Sequence, residues 1–211
     1  MWYIVACEEG ASLIYGFKEE ITKEEFRRAI ETNTLLDKVN RVPVRKGDVF
    51  FINAGTLHAI GKGILIAEIQ QNSNTTYRVY DYGRVGADGR PRELHIEKAL
   101  DVTSLGPAKA QKKYEPVVLD GKSKGTVMTV LADCEYFTAA KLQLSNTVYT
   151  TDVDSRSFMH ILVIDGTGEL VCGDKKISLK KGSSIFVPAG TGEITITGNC
   201  SIISTEIGSI N

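Results

Sequence analysis

Apolar and polar positions alternate along most of this chain in short runs closed by glycine, asparagine or aspartate, a period-two pattern that predicts β-strands. The first two runs, WYIVAC and SLIYGF, flank a Glu8-Glu9-Gly10 turn. The period then changes. In residues 21–44, ITKEEFRRAIETNTLLDKVNRVPV, Phe26, Ala29 and Ile30 recur at helical spacing and form one apolar face. Thr22 and Glu25 have the form of a capping box, in which the hydroxyl and the carboxylate each satisfy a backbone N–H that the first helical turn leaves without a partner. Two short helices fit here, ending before Pro43.

Strands return from Gly47 onward, as DVFFIN, GILIAEIQ and TTYRVYDY. ELHIEKALDV reads as a short amphipathic helix carrying His95, a surface or helix-packing residue, and Gly106-Pro107 with the polar AKAQKKYEP reads as a linker. Beyond residue 115 nearly everything is strand-like: TVMTVLAD, YFTAAKLQL, TVYTTDV, SFMHILVIDG, GELVCG, KKISLKKG, SSIFVPAG, GEITITG and CSIISTEI follow one another at the spacing of an all-β sandwich or barrel. The economical division is two β domains, residues 1–108 with a helical insertion over 22–40, and residues 109–211.

One passage is written twice. RKGDVFFINAGTLHAIG begins at Arg45 and KKGSSIFVPAGTGEITI at Lys180. Aligning Gly47 with Gly182 places Phe51 on Phe186, Asn53 on Pro188, Ala54-Gly55-Thr56 on Ala189-Gly190-Thr191, and His58 on Glu193, all at one offset. Such self-similarity implies two copies of one supersecondary unit, here strand, glycine turn, strand. Only the first copy has the histidine.

Composition narrows the partners. The 211 residues are 42% hydrophobic, enough for a sizeable core, and 25 Lys plus Arg stand against 26 Asp plus Glu, so no nucleic-acid or membrane footprint is visible. The four cysteines form no C-x-x-C pair and sit in apolar runs, which reads as buried thiols rather than disulfides or ligands. MWYIVACEEG has neither a basic leader nor an apolar run long enough for a signal peptide or a membrane span, so the cytoplasm is expected.

The pattern Gly47, Asn53, Gly55, His58 resembles the second motif of the cupin superfamily, and the later copy has the proline usual at the asparagine position. That resemblance implies jelly-roll barrels, with the histidine delivered inward from a strand to bind metal. A lone strand histidine is more often a core or surface residue; the full motif is what singles out His58. Glu193 and the single His160 leave the second barrel without the family's ligand set, so it is expected to be metal-free.

From Ala54 to Arg84 the chain resembles the type I mannose-6-phosphate isomerases in their short bacterial form, as do MWYIVACEEGASLIYGF and GRPRELHIEKALDV. The fold class implied is mainly β, two cupin-like jelly-roll barrels, the first incomplete, with a small helical insertion. The activity implied is zinc-dependent interconversion of mannose 6-phosphate and fructose 6-phosphate. His58 then matches the family's last zinc ligand, Arg78 an active-site arginine, Glu68 an acidic active-site residue, and Arg92 a basic residue near the phosphate. Proton transfer between C1 and C2 through an enediol needs a base and cationic stabilisation of oxyanions, and a carboxylate and a guanidinium are suited to those tasks. Glu68 beside an arginine also reads as a structural ion pair. Tyr77, Tyr80 and Tyr82 are expected to alternate between core and cavity wall.

The family's other zinc ligands lie upstream of the MWYI passage at which this chain begins, so it is expected to be a C-terminal fragment or remnant, with little activity alone. The alternatives are a non-catalytic cupin-type module for sugar binding or assembly, and a two-barrel enzyme acting on another phosphosugar. Homo-oligomer formation stays open.

Overall fold

The computed structural model describes residues 1–73, 75–82, 84–86, 88–110 and 112–208. The chain divides into two units: a first of Trp2–Glu68 with Asn72–Gln111, and a second of Lys112–Asn211 with Met1 and Ile69–Gln71. In chain order the first holds β1 (Trp2–Cys7), β2 (Ser12–Phe17), α1 (Lys23–Glu31), α2 (Leu35–Lys38), β3 (Val39–Pro43), β4 (Val49–Phe50), β5 (His58–Ala59), β6 (Ile64–Glu68) and α3 (Ile96–Val102). The second holds β7 (Val117–Val118), β8 (Val127–Asp133), β9 (Phe137–Val153), β10 (Met159–Cys172), β11 (Lys175–Lys180), β12 (Ser184–Val187) and β13 (Gly192–Ile207). The protein is mainly β; among the described residues the α-helices fall in the first unit, and the second has only a short 3-10 turn at Gly121–Ser123.

Two three-stranded antiparallel sheets, β4-β1-β6 and β3-β2-β5, make the frame of the first unit. Its helical insertion starts where the sequence places it. Thr22 Oγ1 accepts from the Glu25 N–H at 3.1 Å and the Glu25 carboxylate accepts from the Thr22 N–H at 2.8 Å, a reciprocal cap that contributes about 1 kcal/mol. Phe26, Ala29 and Ile30 are buried on the inward face, and Phe26 meets Phe17 edge to face at 5.4 Å. A second cluster, built on Trp2, Ile4, Leu13 and Val44, fills the space beside β1.

The written repeat is also a structural repeat, down to its hydrogen bonds. Gly47 N–H donates to the Ile4 carbonyl, Ile4 N–H to that of Asp48, and Asp48 N–H to that of Arg45. Gly182, Val163, Ser183 and Lys180 make the same three bonds. Even the side-chain closure recurs: Asp48 Oδ2 accepts from the Arg45 N–H and Ser183 Oγ from the Lys180 N–H. Ile4 therefore corresponds to Val163, and each is followed by a shift of register, between Ile4 and Ala6 against β6 and between Val163 and Asp165 against β13. What β1 and β2 do in two pieces, β10 does in one, and α1 and α2 stand where the second copy has only the Gly173-Asp174 turn between β10 and β11.

The structure corrects several sequence expectations. YFTAAKLQL and TVYTTDV are one strand, as are SFMHILVIDG with GELVCG, and GEITITG with CSIISTEI. Glycine and asparagine do not end these strands; they bend them. Gly166, at φ +77°, lies so close to β13 that a Cβ would stand 2.1 Å from the Asn199 carbonyl, and Asn146 adopts φ +54° within β9. Conversely, TTYRVYDY forms no strand among its described residues. Its tyrosines therefore have no alternating faces: Tyr77 and Tyr82 are exposed, and Tyr80 packs on the helical core. All four cysteines are free, but only Cys200 is fully buried, because Cys7 and Cys172 lie at strand ends and Cys134 in a turn.

Candidate functional site

His58 sits at the start of β5, just past a turn closed by Thr56 N–H donating to the Asn53 carbonyl at 3.0 Å. Pairing with β2 sets it opposite Tyr15. Its Nδ1 lies 2.7 Å from the Thr56 carbonyl oxygen. A carbonyl can only accept, so Nδ1 carries the proton and the Nε2 lone pair is available. This is the arrangement by which proteins hold a metal-binding imidazole in one tautomer and orientation.

The imidazole is exposed, yet one side of it is anchored. It meets the Trp2 ring at 5.3 Å between centroids with planes 69° apart, and Trp2 is only 3% exposed. The Trp2 indole N–H donates to Glu68 Oε1 at 2.9 Å, since antiparallel pairing of β1 with β6 puts those residues directly opposite. Trp2 thus brings His58 and Glu68 together. Among the described residues the expected ion pair between Glu68 and an arginine is not formed; its partner is the indole.

Arg78 and Arg92 meet elsewhere in the same unit, on one carboxylate. Arg92 Nε donates to Asp81 Oδ2 at 2.6 Å and its Nη2 bonds Oδ1, a bidentate fork, while Arg78 Nε lies 3.8 Å from Oδ1. The hydrogen bonds from Arg92, with the charges of Arg92 and Arg78 behind them, hold the Asp81 carboxyl below the usual aspartate range. Two guanidiniums against one carboxylate leave a positive charge over. The backbone of Arg78 is clamped by His95, which caps α3: the Arg78 N–H donates to His95 Nδ1 at 3.0 Å, and the His95 N–H donates to the Arg78 carbonyl at 2.7 Å. His95, half-buried with its ring beside Tyr77, is also the pin of an otherwise irregular segment.

Sequence reasoning missed Trp2, Asp81 and His95. Asp81 has no spacing signal, and the partner of each of the other two is distant in the chain. His58, Glu68, Arg78 and Arg92 all fall in the first unit, where the structure ties the first two to Trp2 and the last two to Asp81.

As a metal centre the first unit offers one good corner. His58 presents a free Nε2 with its tautomer set, but no group of three or more His, Cys, Asp or Glu among the described residues is placed to hold an ion. A catalytic zinc takes about three protein ligands. The donors present fit one of those positions, not the set.

The second unit carries different residues where the first has Trp2, Glu68 and His58. Register equivalence puts Ile161 where the first unit has Trp2 and Ser204 where it has Glu68. Glu193, at the histidine position, is engaged by the Lys122 ammonium. His160 bonds Ser184 Oγ at 2.8 Å, and burial lowers its pKa. A cavity of about 580 Å³ at one end of this barrel is lined by Asp152, Asp154, Arg156, Phe158 and Glu206 among others.

Residues 126–207 match the family model of the mannose-6-phosphate isomerase cupin domain. That match falls in the second unit; likeness to whole proteins reaches across the first as well. Over 208 residues the chain is 37% identical to mannose-6-phosphate isomerase ManA of Bacillus subtilis, covering 98% of this chain and 63% of that protein. The mannose-6-phosphate isomerase of Streptococcus mutans serotype c is 36% identical over 206 residues, covering 97% and 62%. The crystal structure of a Bacillus subtilis mannose 6-phosphate isomerase superposes with a TM-score of 0.85 at 34% identity, over 98% of this chain and 63% of that one. The chain spans a little under two thirds of the length of these relatives.

Proposed function

We propose that the chain belongs to the type I mannose-6-phosphate isomerase family and is the C-terminal part of a zinc-dependent aldose-ketose isomerase that interconverts mannose 6-phosphate and fructose 6-phosphate. What carries this reading is the likeness, over 98% of the chain, to a relative named for that enzyme. His58 supports its metal-dependent part.

A bound metal would polarise the oxygens on the two sugar carbons between which the proton moves. The residues of this chain do the rest. His58 Nε2 would hold one coordination position, its ring steadied by the Thr56 carbonyl and by Trp2. Glu68 has one oxygen occupied by the indole N–H, which leaves the other to take a proton from one sugar carbon and return it to the neighbouring one. Arg78, its backbone fixed by His95, presents a planar cation to the enediolate. Arg92 serves the phosphate. Asp81 orients both guanidiniums without neutralising the pair. The remaining metal ligands come from residues outside these 211. We place the enzyme in the cytoplasm with a phosphosugar as its ligand and no nucleic-acid or membrane partner; among the described residues no helix is long and apolar enough to cross a membrane.

A second reading is favoured by the incomplete donor set: a non-catalytic cupin module that binds sugar or supports assembly. One coupled assay separates the two. The 211-residue chain, with added zinc, is compared with the same chain extended by the upstream segment of the Bacillus subtilis relative. The isomerase reading expects negligible turnover of mannose 6-phosphate by the first and clear turnover by the second. No turnover by the extended form, in zinc-replete and correctly folded protein, sinks it and leaves the module.

A further inference from the structure

Along one face of β13 the side chains run Ile194, Ile196, Cys200 and Ile202, all buried in the core of the second barrel, and then Ser204 and Glu206. The core face of this strand ends in a carboxylate. Glu206 is half-buried and lines a cavity of about 580 Å³ together with Asp152, Asp154, Arg156, Phe158 and Met159, a volume suited to a small organic molecule. The walls are fixed before anything enters. Arg156 N–H donates to Asp154 Oδ1 at 2.8 Å, Gly190 N–H to the Asp154 carbonyl at 2.7 Å, and Ile207 N–H to Ser157 Oγ at 2.9 Å, which ties the turn between β9 and β10 to its neighbours. Phe158 is backed by Phe186, their rings stacked at 5.0 Å.

Charge decides what this cavity can take. Three carboxylates stand against one guanidinium, and that one is engaged: Arg156 Nε donates to Asp154 Oδ2 at 2.7 Å and its Nη2 lies 2.6 Å from the same oxygen. Among the described residues no hydrogen bond or ion pair reaches Glu206 or Asp152. Burial raises the Glu206 carboxyl, Asp154 raises it further, and Arg156 lowers it. An anion entering here would meet two unanswered carboxylates. A neutral polyol would bond them and leave their charge; a cation answers it.

We propose that this cavity is a binding site for a small organic cation, a protonated amine on an apolar body, with the ammonium held by Glu206 and the body against Phe158 and Met159. Asp152 adds to the attraction, and the face of an aromatic ring such as Phe158 draws positive charge as well as apolar surface. In the empty barrel the ionised Glu206 is disfavoured, and a bound ammonium removes that penalty. A side chain kept only for packing would continue the apolar run of Ile194, Ile196 and Ile202. The site lies wholly within the second unit and involves neither His58 nor a metal, so it stands apart from the isomerase reading.

The test uses three probes of one shape and different charge: benzylammonium, benzyl alcohol and benzoate. Each is titrated into the nitrogen-15-labelled 211-residue chain in potassium phosphate buffer at pH 7 and followed by amide NMR. Benzylammonium shifts the amides of residues 152–159 and 206–208 with a Kd on the order of 1 mM. Benzyl alcohol binds about tenfold more weakly, and benzoate leaves the spectrum unchanged. Glu206→Gln lowers the affinity for the amine about tenfold and brings amine and alcohol together, while an undiminished melting temperature shows that the barrel is intact. Phe158→Ala weakens both. Glu169→Gln, which removes a carboxylate on β10 that lies outside the cavity and 3.5 Å from the Lys176 ammonium, changes none of the three. The proposal is overturned by an alcohol that binds as tightly as the amine, by Glu206→Gln or Phe158→Ala without effect, by an equal loss at Glu169→Gln, or by an unshifted spectrum at about 10 mM amine.

Discussion

Gly55→Ala and Gly190→Ala are the same substitution at the two copies of one turn, and the structure expects them to differ. Both glycines have left-handed backbones, φ +84° and +76°, where a Cβ costs about 1–2 kcal/mol. Gly190 faces open space, so that cost is all it incurs. At Gly55 the added carbon would stand 2.5 Å from the Val102 carbonyl oxygen and 3.1 Å from Ser104 Oγ. Both contacts belong to the end of α3, which is tied to this turn by the Ser104 N–H donating to the Gly55 carbonyl at 2.9 Å. A backbone oxygen cannot rotate away, so the turn or the helix end must move, adding about 1–3 kcal/mol. The expectation is a loss of about 2–5 kcal/mol for Gly55→Ala against about 1–2 for Gly190→Ala. Urea unfolding measures both. The fluorescence of Trp2 reports the first unit, far-UV circular dichroism reports the whole strand content, and each kcal/mol corresponds to about 4–8 °C in the melting temperature of a unit this size. Equal losses at the two positions, or a Gly55→Ala protein as stable as the wild type, would refute the reasoning that the first copy of the turn is locked against α3.

Asp81→Asn is expected to flatten the acid limb of stability. The Asp81 carboxyl is held low by its hydrogen bonds to Arg92 and by the charges of Arg92 and Arg78, so its contribution is present above the ordinary aspartate value near ~3.9 and is lost as pH falls through the lower folded value; urea midpoints across that range should fall in the wild type and change less in the variant. Glu206→Gln should do the opposite. Burial, and then the nearby Asp154, raise the Glu206 carboxyl against the lowering effect of Arg156, so its favourable contribution is complete only below the ordinary glutamate value near ~4.3 and is lost as pH rises through the folded value. Thermal melts should show Glu206→Gln more stable than the wild type at pH 7 and no different at the acid end; a less stable variant at pH 7 would show that Glu206 makes a compensating bond when ionised.

How much was legible follows from how local each signal was. The capping box of Thr22 and Glu25 involves residues three apart, and it formed as read. His58 was legible because the glycine turn that delivers it is written a second time, with a different residue at the end. Strand ends were misread because a glycine within a sequence says only that the backbone is free to turn. Whether Gly166 ends a strand or bends it depends on β13 lying against it. The segment around Arg78 was misread for a related reason: YRVYDY alternates like a strand, but its backbone groups are met by His95 rather than by a neighbouring ladder.

By itself the sequence determined the class of fold, the duplication and the place of the helical insertion, because each of these is a pattern in residue type and spacing; the four residues were legible as carriers of the proposed chemistry only through the family resemblance. Only the tertiary structure decided which of those residues meet. Trp2 reaches Glu68 through the register of β1 against β6, and it reaches His58 through a turn folded back over the same strand. Arg78 and Arg92 share Asp81 because an irregular loop is pinned to the cap of α3. Spacing along a chain encodes the local period of helix or strand. A contact between strands is set by register and by burial of the whole sheet, which no short stretch contains.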